Sequence, residues 1–239
     1  MDFKTVTPHF HQAAIATAFT LSIASPVTSW AEDCSTPANP FVVNIATESG
    51  DACDDQISLR EAITYANNNA GKDVITFADS LNGQTIDATQ AAIQITESVS
   101  ITGPTNDDNG ENAELITLKA SDDAPLFLIA STADRIDFDL SNTILEKVAG
   151  DDHIIEMNGY GGDIVLDNIQ TTETTNAGGI FGGISRSNEQ EVELGNDLTL
   201  TLKNSSISGS IFSDDILDTN SLNNANSRIT IEDSTVYNI

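Results

Sequence analysis

The sequence predicts an all-β chain built as a parallel β-helix (solenoid) with one short helix near its start. Three observations carry that prediction. Brief apolar runs alternate with polar residues from Val74 onward, a repeat occupies the second half, and a single well-capped helix signal precedes both.

The chain opens on an export signal. Lys4, His9 and His11 give a weakly positive start, and Ala13 to Ala24 carries no charge. Pro26 and the small-x-small sequence Ser29-Trp30-Ala31 follow, ahead of Glu32-Asp33. These are the three parts of a secretory signal peptide. The competing reading is a membrane anchor, which needs about 20 apolar residues; this run is shorter, and no second apolar stretch of that length occurs downstream. Residues 1–31 are therefore read as a signal peptide, and the mature chain is expected to work outside the cytoplasm, extracellularly or at the outer cell surface.

Removing Met1 to Ala31 from 239 residues leaves 208, enough for one domain with a sizeable core. Lys and Arg number 9 against 37 Asp and Glu, a formal net charge of −28. A surface of that sign repels phosphate backbones and anionic membranes, so no nucleic-acid partner is expected. A hydrophobic content of 39% separates the chain from acidic disordered sequences. Two cysteines, Cys34 and Cys53, stand near the mature N-terminus. An even pair in an oxidising compartment favours a bridge, which would close a loop of about twenty residues and contribute about 3 kcal/mol. Two Cys with no neighbouring His make a poor zinc site.

Phe41 to Ile45 reads as a short strand. Ser58-Leu59-Arg60-Glu61-Ala62-Ile63 opens the helix, with Ser58 and Glu61 spaced as a capping box. Leu59, Ala62, Ile63 and Ala66 form one apolar stripe. The run Asn67-Asn68-Asn69 weakens the helix, and Gly71 is expected to supply its left-handed stop. Arg60 is expected on a solvated face.

Beyond Val74 come the brief strands Val74 to Phe77, Ile93 to Ile95, Val99 to Ile101 and Leu126 to Ile129. Four later segments then align, ending at Asn142, Asn168, Asn204 and Asp233, with spacings of 26, 36 and 29. A second strand recurs between them at Ile154 to Met157, Gly179 to Gly183 and Ser210 to Ser213. Several short strands per repeat fit a parallel β-solenoid with one coil per repeat. Apolar residues would fill its interior, and Asn or Asp tolerates the left-handed backbone of a sharp corner. Ser185 to Asn196 and Asp218 to Ser227 read as loops. The alternative is an antiparallel sandwich. Its Asn-Gly turns occur here only at Asn82, Asn109 and Asn158, out of step with the repeat.

The region from Phe41 to about Pro104 resembles a known family. Gly50-Asp51-Ala52-Cys53-Asp54, Ser58-Leu59-Arg60-Glu61-Ala62-Ile63, Tyr65-Ala66-Asn67, Asp73-Val74-Ile75-Thr76-Phe77, Gly83-Gln84-Thr85-Ile86 and Ser98 to Pro104 are similar to the CSLREA motif. That motif opens many bacterial surface proteins of the right-handed parallel β-helix class, adhesins and autotransporter passengers among them. One position departs from the pattern, because Ile57 stands where the family has Cys directly before Ser-Leu-Arg-Glu-Ala. The family's local disulfide is then impossible, and Cys34 becomes the expected partner of Cys53. The resemblance implies that Ser58, Leu59, Glu61, Ala62 and Ile63 belong to a structural cap over the open first coil. Residues 32–104 are thus read as cap and first coils, and 105–239 as further coils. The chain is expected to be truncated at its C-terminus, since it ends at Ile239 directly after a repeat strand.

No catalytic residues are assigned. Arg60, Lys72, Lys119, Arg135, Lys147, Arg186, Lys203 and Arg228 are scattered, whereas lyases of this architecture group a base with Ca²⁺-binding carboxylates. Asp107-Asp108, Asp122-Asp123, Asp151-Asp152 and Asp214-Asp215 sit beside turn residues and read as solvated loops rather than hydrolase pairs. His153, the mature chain's single histidine, reads as an exposed loop residue. Asp107, Asp108 and Glu111 are weak Ca²⁺ candidates whose spacing does not match an EF-hand; no other cofactor is expected. The leading expectation is a non-catalytic adhesin-like or display scaffold that meets host or neighbouring-cell surface components or polysaccharide. The alternative is a carbohydrate-active β-helix enzyme, a polysaccharide lyase or glycoside hydrolase, whose site lies on coils missing from this chain.

Overall fold

The structure is a computed structural model, and it describes residues 37–48, 55–105, 114–121, 123–131, 135–147, 153–159, 162–172, 181–182, 199–208 and 228–237. All of these fall in the unit Cys34–Ile239. The signal segment, Cys34, Cys53, the loops Ser185 to Asn196 and Asp218 to Ser227, and the strand Ser210 to Ser213 lie outside the described residues.

The fold is mostly β, and its strands are parallel. The longer path runs through β1 (Val42–Val43), β2 (Asp73–Phe77), β5 (Val99–Thr102), β8 (Phe138–Lys147), β10 (Asp163–Thr171), β12 (Thr199–Lys203) and β14 (Arg228–Glu232). Joined to it are β3 (Thr85–Ala88), β6 (Ile116–Ala120), β13 (Ser206–Ser208) and β15 (Thr235–Tyr237), which complete an 11-stranded sheet. A 4-stranded sheet holds β4 (Ile93–Ile95), β7 (Phe127–Ser131), β9 (Ile155–Gly159) and β11 (Phe181–Gly182).

Parallel neighbours cannot be joined by a tight hairpin and need a long crossover. Here the crossovers pass through the smaller sheet: β4 falls between β3 and β5, β7 between β6 and β8, β9 between β8 and β10, and β11 between β10 and β12. The sequence repeat is also the pairing register. Leu140 pairs with Leu166, Leu166 with Leu202 and Leu202 with Ile231, while Phe181 pairs with Ile155 in the smaller sheet.

Alternation supplies the core. Along β5, β6, β8, β10 and β12 every second side chain is buried, giving stacks such as Val99, Phe138, Ile164 and Leu200. Each fully buried side chain of this size contributes about 1.5–3 kcal/mol. Phe127 of the smaller sheet meets Phe138 of the larger one at a ring separation of 5.3 Å, tilted by 55°, so the two sheets share one core.

Some strands differ from their sequence reading. The first is limited to Val42–Val43, because the Asn44 amide bonds the chain ahead of the helix instead: its Oδ1 accepts from Ile57 N–H (2.7 Å) and its Nδ2 donates to Asp55 O (2.7 Å). β8 and β10 continue past Asn142 and Asn168. In β8 the buried set is Phe138 and Leu140 before the asparagine, then Thr143, Leu145 and Lys147 after it. One extra residue shifts the alternation by a step, much as a bulge does.

Candidate functional site

Two features described here bear on function: the helix with its surroundings, and the row of residues at the strand bend.

Helix α1 (Leu59–Asn67) starts at Ser58, whose side chain accepts from Glu61 N–H while Glu61 Oε2 accepts from Ser58 N–H at 2.9 Å. The capping box is complete. Leu59, Ala62, Ile63 and Ala66 are buried in the core. The helix ends at Asn68 (φ −98°), not at a left-handed glycine. Gly71 does have positive φ (109°), but it lies in the turn beyond. The last turn closes tightly through the backbone, Asn68 N–H to Tyr65 O and Asn69 N–H to Ala66 O, and Asn68 Nδ2 donates to Thr64 O at 2.7 Å.

Arg60 is not a solvated residue. Its guanidinium pairs with Glu48 through Nη2 (2.6 Å) and Nε (3.0 Å), and it donates to Ala91 O (2.6 Å) and Ala92 O (3.2 Å). Asn67 acts as a strand substitute, donating Nδ2–H to Gln94 O (2.8 Å) and accepting from Thr96 N–H at 2.9 Å. Both side chains thus bind the backbone of β4 or of the residues flanking it, at the outermost described strand of the smaller sheet. Sequence reasoning missed both roles. Their only signal was a fork-shaped donor and an amide on an otherwise apolar helix.

At the bend, Asn142 (φ 54°), Asn168 (54°), Asn204 (53°) and Asp233 (46°) are the non-glycine residues with positive φ among those described. The register stacks them, so one amide reaches the next: Asn168 Nδ2 donates to Asn142 Oδ1 at 2.9 Å. Asn204 donates to Asp167 Oδ1 at 2.8 Å. A second row of hydroxyls runs beside them: Ser205 Oγ accepts from Ile169 N–H (3.0 Å), and Ser234 Oγ accepts from Ser205 N–H (3.1 Å). Below Asn142, Gly103 occupies the same level, where a Cβ would come within 2.0 Å of Asn142 O. Only glycine fits that approach.

The basic residues are held by the strands around them. Lys72 pairs with Asp139 (2.7 Å), Arg135 with Asp163 (3.1 Å), Lys203 with Asp167 (3.2 Å) and Lys119 with Glu146 (3.8 Å). Lys147 is fully buried, and its Nζ donates to Ala124 O at 3.0 Å. Arg228 donates from Nε to Thr230 Oγ1 at 3.1 Å. Arg186 lies outside the described residues. Among the described residues, each of the four ion-paired bases has its own carboxylate partner.

Asp107, Asp108 and Glu111 lie outside the described residues, as do Asp122, Asp151, Asp152, Asp214 and Asp215. Asp123 is exposed. Among the described residues, no three His, Cys, Asp or Glu side chains gather as metal ligands would. His153 is half-buried rather than exposed, because it leads directly into the buried pair Ile154 and Ile155. A general acid needs a carboxyl held above its ordinary range; Asp87 is moved the other way, with the Thr89 hydroxyl bonding its carboxylate as the main cause.

No family model, curated protein or solved structure matches this sequence. Among the described residues no helix is long and apolar enough to cross a membrane.

Proposed function

We propose that this chain is an exported, right-handed parallel β-helix of the CSLREA type, serving as a non-catalytic display or adhesive scaffold at or beyond the cell surface. The observation that carries the reading is the stack β2-β5-β8-β10-β12-β14. Its strands pair in parallel, those from β8 onward in register with the sequence repeat, and the chain passes through the smaller sheet between successive strands. In this reading α1 is the lid on the first coil, supported by its buried stripe and by the bonds of Arg60 and Asn67 to the outermost strand.

A scaffold reading also fits the chemistry of the outer face. Five described bases are engaged by carboxylates, four of them between strands or between a strand and its flanking residues. Among the described residues, these five bases are thus tied to carboxylates that hold neighbouring parts of the fold together. The mature surface would present its loops to polysaccharide or to cell-surface components.

The test is a glycan and polyuronate array probed with the secreted chain, with every bound ligand then incubated and assayed by ultraviolet absorbance for unsaturated ends and, separately, for new reducing ends. Binding without either product supports the scaffold. Product formation replaces it with a carbohydrate-active enzyme, and an array with no binding removes polysaccharide as the partner.

A further inference from the structure

The outward side chains of β2, β5, β8, β10 and β12 line up across the layers. Val74 stands beside Ser100, Ser100 beside Asp139, Asp139 beside Val165 and Val165 beside Thr201. Two residues further along the strands a second row places Thr102 beside Ser141, Ser141 beside Asp167 and Asp167 beside Lys203. Thr76, two residues past Val74, stands at the head of that second row.

Five hydroxyls on these rows serve no partner inside the chain. Those of Thr76, Ser100, Thr102, Ser141 and Thr201 make no hydrogen bond to protein, and their oxygens remain open to solvent. The same residue types are used internally elsewhere. Ser98 Oγ accepts from Asp137 N–H at 3.0 Å, Ser205 Oγ accepts from Ile169 N–H at 3.0 Å, and Thr64 Oγ1 donates to Arg60 O at 2.8 Å.

The two rows are also electrically balanced. Their ionised groups are Asp139, Asp167 and Lys203. Lys203 holds Asp167 at 3.2 Å, and Lys72, directly before β2, holds Asp139 at 2.7 Å. Two carboxylates thus meet two ammonium groups, on a chain whose formal charge is −28.

We propose that this balanced, hydroxyl-lined face binds an uncharged polysaccharide, a refinement that rests on the scaffold reading above. A Ser or Thr hydroxyl both donates and accepts, as the hydroxyls of a sugar do. The side chains of Val74 and Val165 and the threonine methyls offer apolar ground to the C–H faces of the ring. Neighbouring strands set these groups about 4.8 Å apart, so a chain lying along the stack meets them again at each layer. Charge selects the class of ligand. A polyuronate is repelled by the net negative chain, and both ammonium groups here are already taken by carboxylates. A polycation is drawn to regions of net negative charge rather than to this face. A neutral chain meets neither obstacle.

Isothermal titration of the secreted chain with cellohexaose, laminarihexaose and maltohexaose, and with hexagalacturonate, tests this. At least one neutral hexasaccharide should bind, with an affinity unchanged between about 50 mM and about 500 mM sodium chloride, because no ionic contact is there to be screened. Hexagalacturonate should not bind. The double variant S100A/T102V removes two hydroxyls and adds no charge, and should weaken binding about tenfold. Thr201→Glu should weaken it too, whereas Thr85→Glu, at an exposed position of β3 outside both rows, should bind as the wild type does. Circular dichroism checks that each variant keeps the wild-type fold. The proposal is overturned if no neutral hexasaccharide binds, if hexagalacturonate binds in preference, if added salt abolishes binding, or if both row variants bind as the wild type does. Those results leave the scaffold reading standing. Release of new reducing ends from a bound hexasaccharide strikes the scaffold reading itself.

Discussion

At the scale of single residues, the left-handed positions do two jobs at once. Asn168 turns the strand at φ 54° and donates its amide to Asn142 below. An alanine there would meet the left-handed penalty of about 1 kcal/mol or more and lose a hydrogen bond worth about 1 kcal/mol. Glycine would lose the bond alone. Urea denaturation should therefore rank Asn168 above Asn168→Gly above Asn168→Ala, with the alanine variant down by about 2 kcal/mol. The reverse order of the two variants would mean that backbone conformation is not what the asparagine supplies. Lys147 shows a different economy of position. It takes the inward phase set by the bend, and its ammonium reaches Ala124 O inside the core. Alternation alone would have placed an apolar residue there.

At the scale of elements, α1 was legible because its signals are local. Ser58 and Glu61 stand three apart, and the apolar stripe repeats within two turns. The parts that were not legible depend on distant partners: Arg60 meets Glu48 across 12 residues and Ala91 across 31. The strands divide in the same way. β8 and β10 could be read up to Asn142 and Asn168, where the alternation changes phase, and their second halves were lost at that step. Strands β3, β13 and β15 carry too few alternating residues to stand out before their neighbours are known, whereas β6 alternates fully through Ile116, Leu118 and Ala120 and was missed all the same. The acidic loop Asp107 to Glu111 and both cysteines lie outside the described residues, so the structure adds nothing to their reading. A prediction belongs to this scale. Glu48 is 7% exposed and Arg60 is 29% exposed, so screening is partial, and Arg60→Ala should cost about 2 kcal/mol after that discount. In a double-mutant cycle with Glu48→Ala, measured by chemical denaturation, the two losses should be strongly non-additive. Simple additivity would return Arg60 to a solvated face.

At the scale of the whole molecule, charge and architecture pull in opposite directions. A formal charge of −28 on 239 residues favours the expanded chain through self-repulsion. The described ion pairs offset only a fraction of it. Thermal unfolding followed by circular dichroism should therefore shift to higher temperature when sodium chloride is raised from about 10 mM to about 500 mM, as the Debye length falls from about 30 Å toward 4 Å. A melting temperature that falls with salt would assign more stability to the individual pairs than to the relief of net repulsion.

One detail of the register has a practical reach. Thr102 pairs with Ser141, and Ile116 pairs with Thr143, so residues 103 to 115 occupy in one layer the place that Asn142 fills alone in the next. The strands on both sides keep their partners regardless of what passes between them. The register therefore tolerates either a single residue or a longer span at this position. Foreign epitopes spliced between Ser141 and Thr143 would emerge at a defined height on a rigid support, which makes the bend a ready address for antigen or affinity-tag presentation.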